Sequence, residues 1–120
     1  CFILAEAYCQ DGKGHDAQAI EVMNNYLAQR RATLLDIQLT GDQLLKAILQ
    51  EKWKEFAGEG ERYFDLKRYR KSILTGWNSN MKDKRVEKDD YRWTFPIPKA
   101  EYLYNENVSQ NEGWTKIENN

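Results

Sequence analysis

A short glycine-containing turn near the start of the chain constrains its fold more than any other feature. Residues 2–10 carry apolar side chains at helical spacing, and Gly12–Lys13–Gly14 interrupts this pattern with two residues that readily take a positive φ. Asp16 is a suitable N-cap for a second helix that continues to about Arg31. Because the connection is so short, the two helices must pack antiparallel as a helical hairpin.

The apolar positions of this hairpin predict which faces are buried. We expect these residues to face inward: Ile3, Leu4, Ala7 and Tyr8 in the first helix, and Ala19, Ile20, Met23, Tyr26 and Leu27 in the second. Tyr8 and Ala17 have the spacing found in a tetratricopeptide repeat, so residues 1–36 resemble one such hairpin.

A third helix follows, and its start is marked by the sequence Thr40–Gly41–Asp42–Gln43. Thr40 and Gln43 fit a capping box, in which each side chain satisfies a free backbone N–H of the first turn. The core positions predicted for this helix are Leu45, Ile48, Leu49, Trp53 and Phe56. After Gly58 and Gly60, residues 61–70 form a short charged helix, so residues 40–72 are predicted to be helical.

The rest of the chain, residues 73–120, has a different character. Residues 82–90 (KDKRVEKDD) predict a solvated loop, and residues 91–95 alternate bulky and polar side chains as a strand does. Pro96–Ile97–Pro98 requires extended backbone, and residues 105–120 contain many turn-forming residues. The predicted fold is therefore mainly α: a tetratricopeptide-like helical hairpin and further helices, then an irregular extended C-terminal region with little β.

Composition and charge exclude several classes of protein. With 41% hydrophobic and 31% charged residues the chain is too apolar for disorder, and a net charge of -1 argues against nucleic-acid binding. Cys1 and Cys9 lie about 12 Å apart along one helix, too far for a disulfide. His15 with Cys9 and Asp16 lacks the four ligands of structural zinc. We therefore predict no metal and no cofactor.

Charged residues of alternating sign surround the fourth helix. Glu59, Arg62, Asp65 and Arg68 follow one another at three-residue steps, a spacing that allows neighbours to pair along a helix. A glycosidase would use two such carboxylates, one of them with a raised pKa. The neighbouring arginines favour ionised Asp65 instead. We therefore interpret the four residues as a structural ion-pair signature and predict no catalytic residue.

Aromatic residues are numerous, with four Trp and seven Tyr. Trp77 lies between Gly76 and Asn78, where an exposed indole could stack on a sugar, so it is the candidate for ligand binding. Trp53 lies on an apolar helix stripe and is predicted to be core. Trp93 and Trp114 are expected to fold back onto the helices.

Three stretches together resemble the carboxy-terminal part of the SusD/RagB family. Residues 49–68 (LQEKWKEFAGEGERYFDLKR) are similar to the family signature ERxxELxxEGxRxxDLxR. Residues 95–101 (FPIPKAE) are close to LPIPxxE, and residues 105–114 (NENVSQNEGW) resemble NPNLxQNPGY. The chain departs from these motifs at Lys52, Phe56, Glu106 and Glu112.

The resemblance implies a function. It implies that residues 1–120 are the C-terminal portion of a larger, non-catalytic lipoprotein on the surface of the outer membrane. Such a protein captures oligosaccharides or other nutrients together with a SusC-like TonB-dependent transporter, and its lipid anchor lies outside this segment. In the family the signature around Asp65 holds the scaffold together. A tetratricopeptide-like interaction module without sugar binding is the alternative, and a glycosidase using Glu59 or Asp65 is a third.

The ion-pair interpretation predicts the effect of one substitution. We expect Asp65→Ala to lower the melting temperature, because Arg62 and Arg68 lose a carboxylate partner, to the degree that they are buried. Thermal unfolding followed by circular dichroism measures this change. An unchanged melting temperature would contradict the interpretation.

Overall fold

The computed structural model describes residues 1–74, 85–105 and 107–115. In this part the chain is mostly helical, which confirms the predicted fold class. The elements are α1 (Phe2–Gln10), α2 (Asp16–Gln29), α3 (Gly41–Glu55), α4 (Glu61–Arg68), β1 (Ile73–Leu74), β2 (Arg85–Val86), a 3-10 turn (Tyr91–Trp93) and α5 (Lys99–Tyr104). No described helix is long and apolar enough to cross a membrane. The chain forms two compact units, Cys1–Arg62 and Tyr63–Asn120.

In the first unit, α1 and α2 form the predicted helical hairpin, and both pack against α3. The buried core residues are Phe2, Ala5, Ala19, Ile20, Met23, Leu44 and Ile48. The inward face predicted for α2 is confirmed, with Tyr26 partly buried at its edge. Ala5 and Ala19 are fully buried, so small side chains allow the helices to approach closely.

The inward face predicted for α1 is wrong except at Tyr8, which is partly buried against the core. The helix buries Phe2, Ala5 and Glu6, whereas Ile3 is 84% exposed and Leu4 is 48% exposed. Both sides of α1 are apolar, so the helical spacing of its apolar residues could not identify the buried face. Glu6 lies on that face and made it look polar. The Nζ atom of Lys52, on α3, lies 3.6 Å from Oε1 of Glu6 and compensates its buried charge.

The predicted caps also differ from the observed ones. Asp16 is the first residue of α2 and not its N-cap. Its Oδ2 atom accepts a hydrogen bond of 3.0 Å from the backbone N–H of Gly41, which is the first residue of α3. Thr40 is the N-cap of α3, but its side chain makes no capping hydrogen bond. The capping box is therefore absent, and the carboxylate of a different helix satisfies the first N–H of α3.

A side-chain amide fixes the connection between α2 and α3. Asn24 Oδ1 accepts from the backbone N–H of Leu35 at 2.7 Å, and Asn24 Nδ2 donates to the carbonyl of the same residue at 3.1 Å. Leu35 and Leu39 pack against the core. One asparagine thus satisfies both backbone polar groups of a half-buried residue in a segment without regular secondary structure.

The second unit contains short elements that the sequence did not predict. β1 and β2 pair antiparallel, with Ile73 opposite Val86. Val86 is 4% exposed, so the loop predicted over residues 82–90 is wrong at this point; residues 82–84 lie outside the described part. The strand predicted over residues 91–95 is also wrong. The Asp90 side chain accepts a hydrogen bond from the backbone N–H of Arg92, which favours a 3-10 turn over extended backbone.

Two helices end on an arginine with a positive φ, which is unusual for a residue with a side chain. Arg31 follows α2 with φ 53°, and Arg70 follows α4 with φ 50°. At each end, the N–H of the next residue reaches back to a carbonyl of the last helical turn, Ala32 to Leu27 and Lys71 to Leu66. This is the Schellman motif, whose left-handed position glycine normally occupies.

Arg31→Gly should therefore stabilise the protein by about 0.5–1 kcal/mol, since relief of the left-handed strain exceeds the added freedom of the unfolded chain. Urea unfolding measures the change. Arg70→Gly is the comparison: we expect a smaller gain, because Arg70 also forms an ion pair with Asp89. A loss of stability in Arg31→Gly would contradict the strain argument.

Candidate functional site

The four residues of the predicted ion-pair signature do not share one environment: Asp65 and Arg68 pair with each other, and the other two have different neighbours. Asp65 is 5% exposed, and its Oδ1 atom lies 2.8 Å from Nη2 of Arg68, one helical turn away. The Arg68 guanidinium also lies over the ring of Tyr69, 4.6 Å from its centroid. Asp65 is thus a buried carboxylate with a charged partner on its own helix.

The other two signature residues have different neighbours. The Arg62 guanidinium lies 5.4 Å from the ring centroid of Trp53, a cation–π contact. Trp53 is 52% exposed, so its predicted core position is wrong. Glu59 is exposed in the turn before α4, where its backbone N–H donates to the carbonyl of Phe56. The role of the four signature residues as one unit stays a prediction. Trp77, the predicted ligand candidate, lies outside the described residues.

Tyr63 is the centre of an aromatic cluster in the second unit. Its ring lies 5.6 Å from Trp93 and is stacked on Phe95 at 5.3 Å, and its hydroxyl donates to the carbonyl of Trp93. Trp93 is 6% exposed, and its Nε1 donates to the carbonyl of Glu87 at 2.6 Å. The expectation that Trp93 folds back onto a helix is confirmed, since Tyr63 belongs to α4.

Three side chains near the end of the chain hold the extended segment Thr94–Ile97, and we call them the tail clamp. Gln110 Oε1 accepts from the N–H of Ile97 at 2.7 Å, and Gln110 Nε2 donates to the carbonyl of Ile97 at 3.2 Å. Asn111 Nδ2 donates to the carbonyl of Phe95, and Trp114 Nε1 donates to that of Thr94. These contacts run antiparallel to the segment, as a paired strand would.

Gly113 allows the tail to lie against Tyr91. Its φ is 81°, and a Cβ atom at this position would come within 2.3 Å of Tyr91 Cγ. Trp114 then packs edge-to-face against the same ring, 5.1 Å between centroids. Trp114 therefore does not pack on a helix as expected; its side chain lies on the 3-10 turn and the segment after it. Both the conformation and the close approach require glycine.

An open groove of about 720 Å³ lies between the 3-10 turn and the tail. Its lining residues are Asp89, Asp90, Tyr91, Thr94, Asn111, Glu112 and Gly113. We call it the tail groove. It combines an aromatic ring, hydrogen-bonding side chains and three carboxylates, the mixture of apolar and polar groups that small-molecule sites use.

Two of the three carboxylates in the tail groove are held by arginines. Asp89 pairs with Arg70. Asp90 accepts side-chain and backbone hydrogen bonds from Arg92, and these lower its pKa from 3.8 to about 2. Its stabilising contribution is therefore complete above pH 3.8 and is lost as the pH falls through 2. Glu112 and the Thr94 hydroxyl have no hydrogen-bond or ion-pair partner within the described part of the chain.

The described residues include one cysteine thiol of altered pKa and one groove of polar side chains. Burial raises the pKa of the Cys9 thiol to about 11, with Asp16 and Glu6 adding to the effect, so this cysteine is a poor nucleophile. Among residues 1–74, 85–105 and 107–115, no three His, Cys, Asp or Glu residues lie close enough to hold a metal. The tail groove can bind and orient a polar ligand through hydrogen bonds and ring stacking.

The sequence reasoning missed the tail clamp and the tail groove. The signal was present in Gln110–Asn111 and Gly113–Trp114, two side-chain amides and an indole N–H close to a glycine. Such residues are typical of both solvated turns and clamps. The flanking prolines leave the backbone N–H and carbonyl of Ile97 without strand neighbours, so these two groups need a partner. Only this need could have distinguished a clamp from a solvated turn.

Comparisons with known proteins match nearly the whole chain to one family. The model of the SusD family matches residues 2–114. A solved structure of a SusD superfamily protein from Bacteroides vulgatus ATCC 8482 is 30% identical to the chain, with a TM-score of 0.73. The match covers 96% of this chain and 26% of the other, so the chain spans about a quarter of that relative's length. No curated protein matches the sequence.

The tail clamp predicts that Gln110→Glu destabilises the protein by about 1–3 kcal/mol. The substitution keeps the shape but replaces the amide donor with a carboxylate oxygen that faces the carbonyl of Ile97. Denaturant unfolding at neutral pH measures the change. The matched control is the reverse exchange two residues away, Glu112→Gln, which should change stability by less than about 0.5 kcal/mol. Equal stability of both variants would contradict the clamp.

Proposed function

Since the chain belongs to the SusD family, we propose that it is part of a SusD-like nutrient-binding protein, which captures oligosaccharides at the cell surface without cleaving them. The observation that carries the proposal is the family match over residues 2–114 together with the solved relative of the same superfamily. The chain supplies mainly scaffold to this function.

The physical features of the chain support this proposal. The tail clamp holds the segment Thr94–Ile97 in position, and the buried Asp65 carboxylate pairs with the half-exposed Arg68 on its own helix. Neither device presents a nucleophile beside a base. Polar side chains and exposed aromatic rings, such as those of Tyr91 and Phe95, are the groups that bind sugars in water.

The proposal extends to partner and location. We propose that the whole protein is a lipoprotein of the outer membrane, exposed at the surface and anchored by a lipid outside this segment. Its partner is a SusC-like TonB-dependent transporter that takes up the captured ligand. These statements rest on family membership.

A tetratricopeptide-like interaction module without sugar binding is the second candidate. One observation favours it: α1 and α2 form a close-packed hairpin whose outer residues Ile3 and Leu4 are exposed. Such a surface suits a protein partner as well as another helix.

A glycan array with the protein at its full natural length tests the proposed function. We expect binding to at least one class of oligosaccharide, with the bound ligand recovered intact. Binding of peptides but not of glycans would remove the carbohydrate part and leave the family assignment.

A hydrolysis assay on the bound glycan separates binding from catalysis. We expect no cleavage by the wild type. Cleavage that disappears in Glu59→Gln or Asp65→Asn would contradict the non-catalytic proposal and favour a glycosidase, since these are the carboxylates that such an enzyme would use.

A further inference from the structure

We propose that the tail groove is itself a saccharide subsite, selective for uncharged sugars. The inference rests on the proposed function and adds a place and a ligand class to it. In this subsite, the ring of Tyr91 packs against the apolar face of a sugar, and Thr94 and Glu112 bind its hydroxyls.

The first argument is the fixed position of the aromatic ring. Tyr91 lines the groove and is 46% exposed, so its ring is available to a ligand. It is held by the edge-to-face contact with Trp114 and by the close approach of Gly113. A ring that is already immobile loses little conformational entropy when a sugar stacks on it.

The second argument is the set of free hydrogen-bonding groups. In the described part of the chain, the Thr94 hydroxyl and the Glu112 carboxylate have no partner. Asn111 is anchored through its Nδ2 to the carbonyl of Phe95. A sugar presents adjacent hydroxyls that both donate and accept, which matches a carboxylate beside a hydroxyl.

The third argument is charge. Asp89, Asp90 and Glu112 line the groove, and no cationic side chain is among its lining residues. Arg70 and Arg92 offset the first two carboxylates, whereas Glu112 has no cationic partner in the described part of the chain. The carboxylate of a uronic acid bound in the groove would be repelled by the carboxylate of Glu112. The groove therefore selects neutral sugars over uronic acids.

Calorimetric titration tests the subsite with named probes: the linear hexasaccharides of glucose, xylose and mannose, and hexagalacturonate. We expect the wild type to bind a neutral hexasaccharide more tightly than hexagalacturonate. Tyr91→Leu should weaken neutral binding about three- to tenfold, the loss expected from one aromatic contact. Glu112→Lys should shift the preference towards hexagalacturonate. Glu112 is exposed and has no partner among the described residues, so this variant should fold normally.

The control is Tyr104→Leu, which makes the same exchange at a 90% exposed tyrosine that does not line the groove. We expect its affinities to equal those of the wild type. If Tyr91→Leu and Glu112→Lys also match the wild type, the subsite is wrong while the proposed function survives. A wild type that binds no probe and no glycan on the array overturns both.

Discussion

The second unit depends on the two hydrogen bonds between Gln110 and Ile97. Pro96 and Pro98 have no N–H, so Ile97 carries the only backbone donor of residues 96–98. The two prolines prevent both a helix and a continuous strand ladder there. A single amide side chain supplies the donor and the acceptor that a neighbouring strand would have given. Val86 and Trp93 are the only buried apolar residues that the structure describes in this unit. Polar contacts of this kind therefore contribute more to its conformation than they would in a large core.

In the first unit a side-chain amide also binds a backbone N–H and carbonyl, but apolar burial contributes more to stability there. Asn24 holds the peptide of Leu35 as Gln110 holds that of Ile97, but Leu35 also packs against a core built by three helices. In that setting the amide positions a connection whose stability comes largely from apolar burial. The ion pair between Glu6 and Lys52 is likewise secondary to apolar burial. It compensates a charge within an interface that Phe2 and Ala5 already stabilise. Both units thus satisfy irregular backbone or buried charge with one specific side chain.

These devices explain how much of the fold could be predicted. The bounds of α1, α2 and α3 follow from apolar periodicity and breaking residues, which are local properties. The buried face of α1 does not, because both of its faces are apolar and a glutamate lies on the inner one. The 3-10 turn and the tail clamp depend on contacts such as Arg92 to Asp90 and Gln110 to Ile97. Hydrogen bonds between residues far apart leave no periodic signal, so the tail groove that they shape was equally hidden.

The tail groove is a direct consequence of the clamp. When Asn111 and Trp114 bind the carbonyls of Phe95 and Thr94, the intervening Glu112 and Gly113 are brought to the 3-10 turn. Gly113 must then fit against the Tyr91 ring, and Glu112 is left pointing to solvent beside it. Asn111 and Trp114 thereby fix the positions of Glu112 and the Tyr91 ring, both of which are exposed in the groove. In the subsite that we propose, scaffold and recognition are therefore not separate functions, because the hydrogen bonds that order the tail also set the shape and the charge of the surface that a ligand would meet.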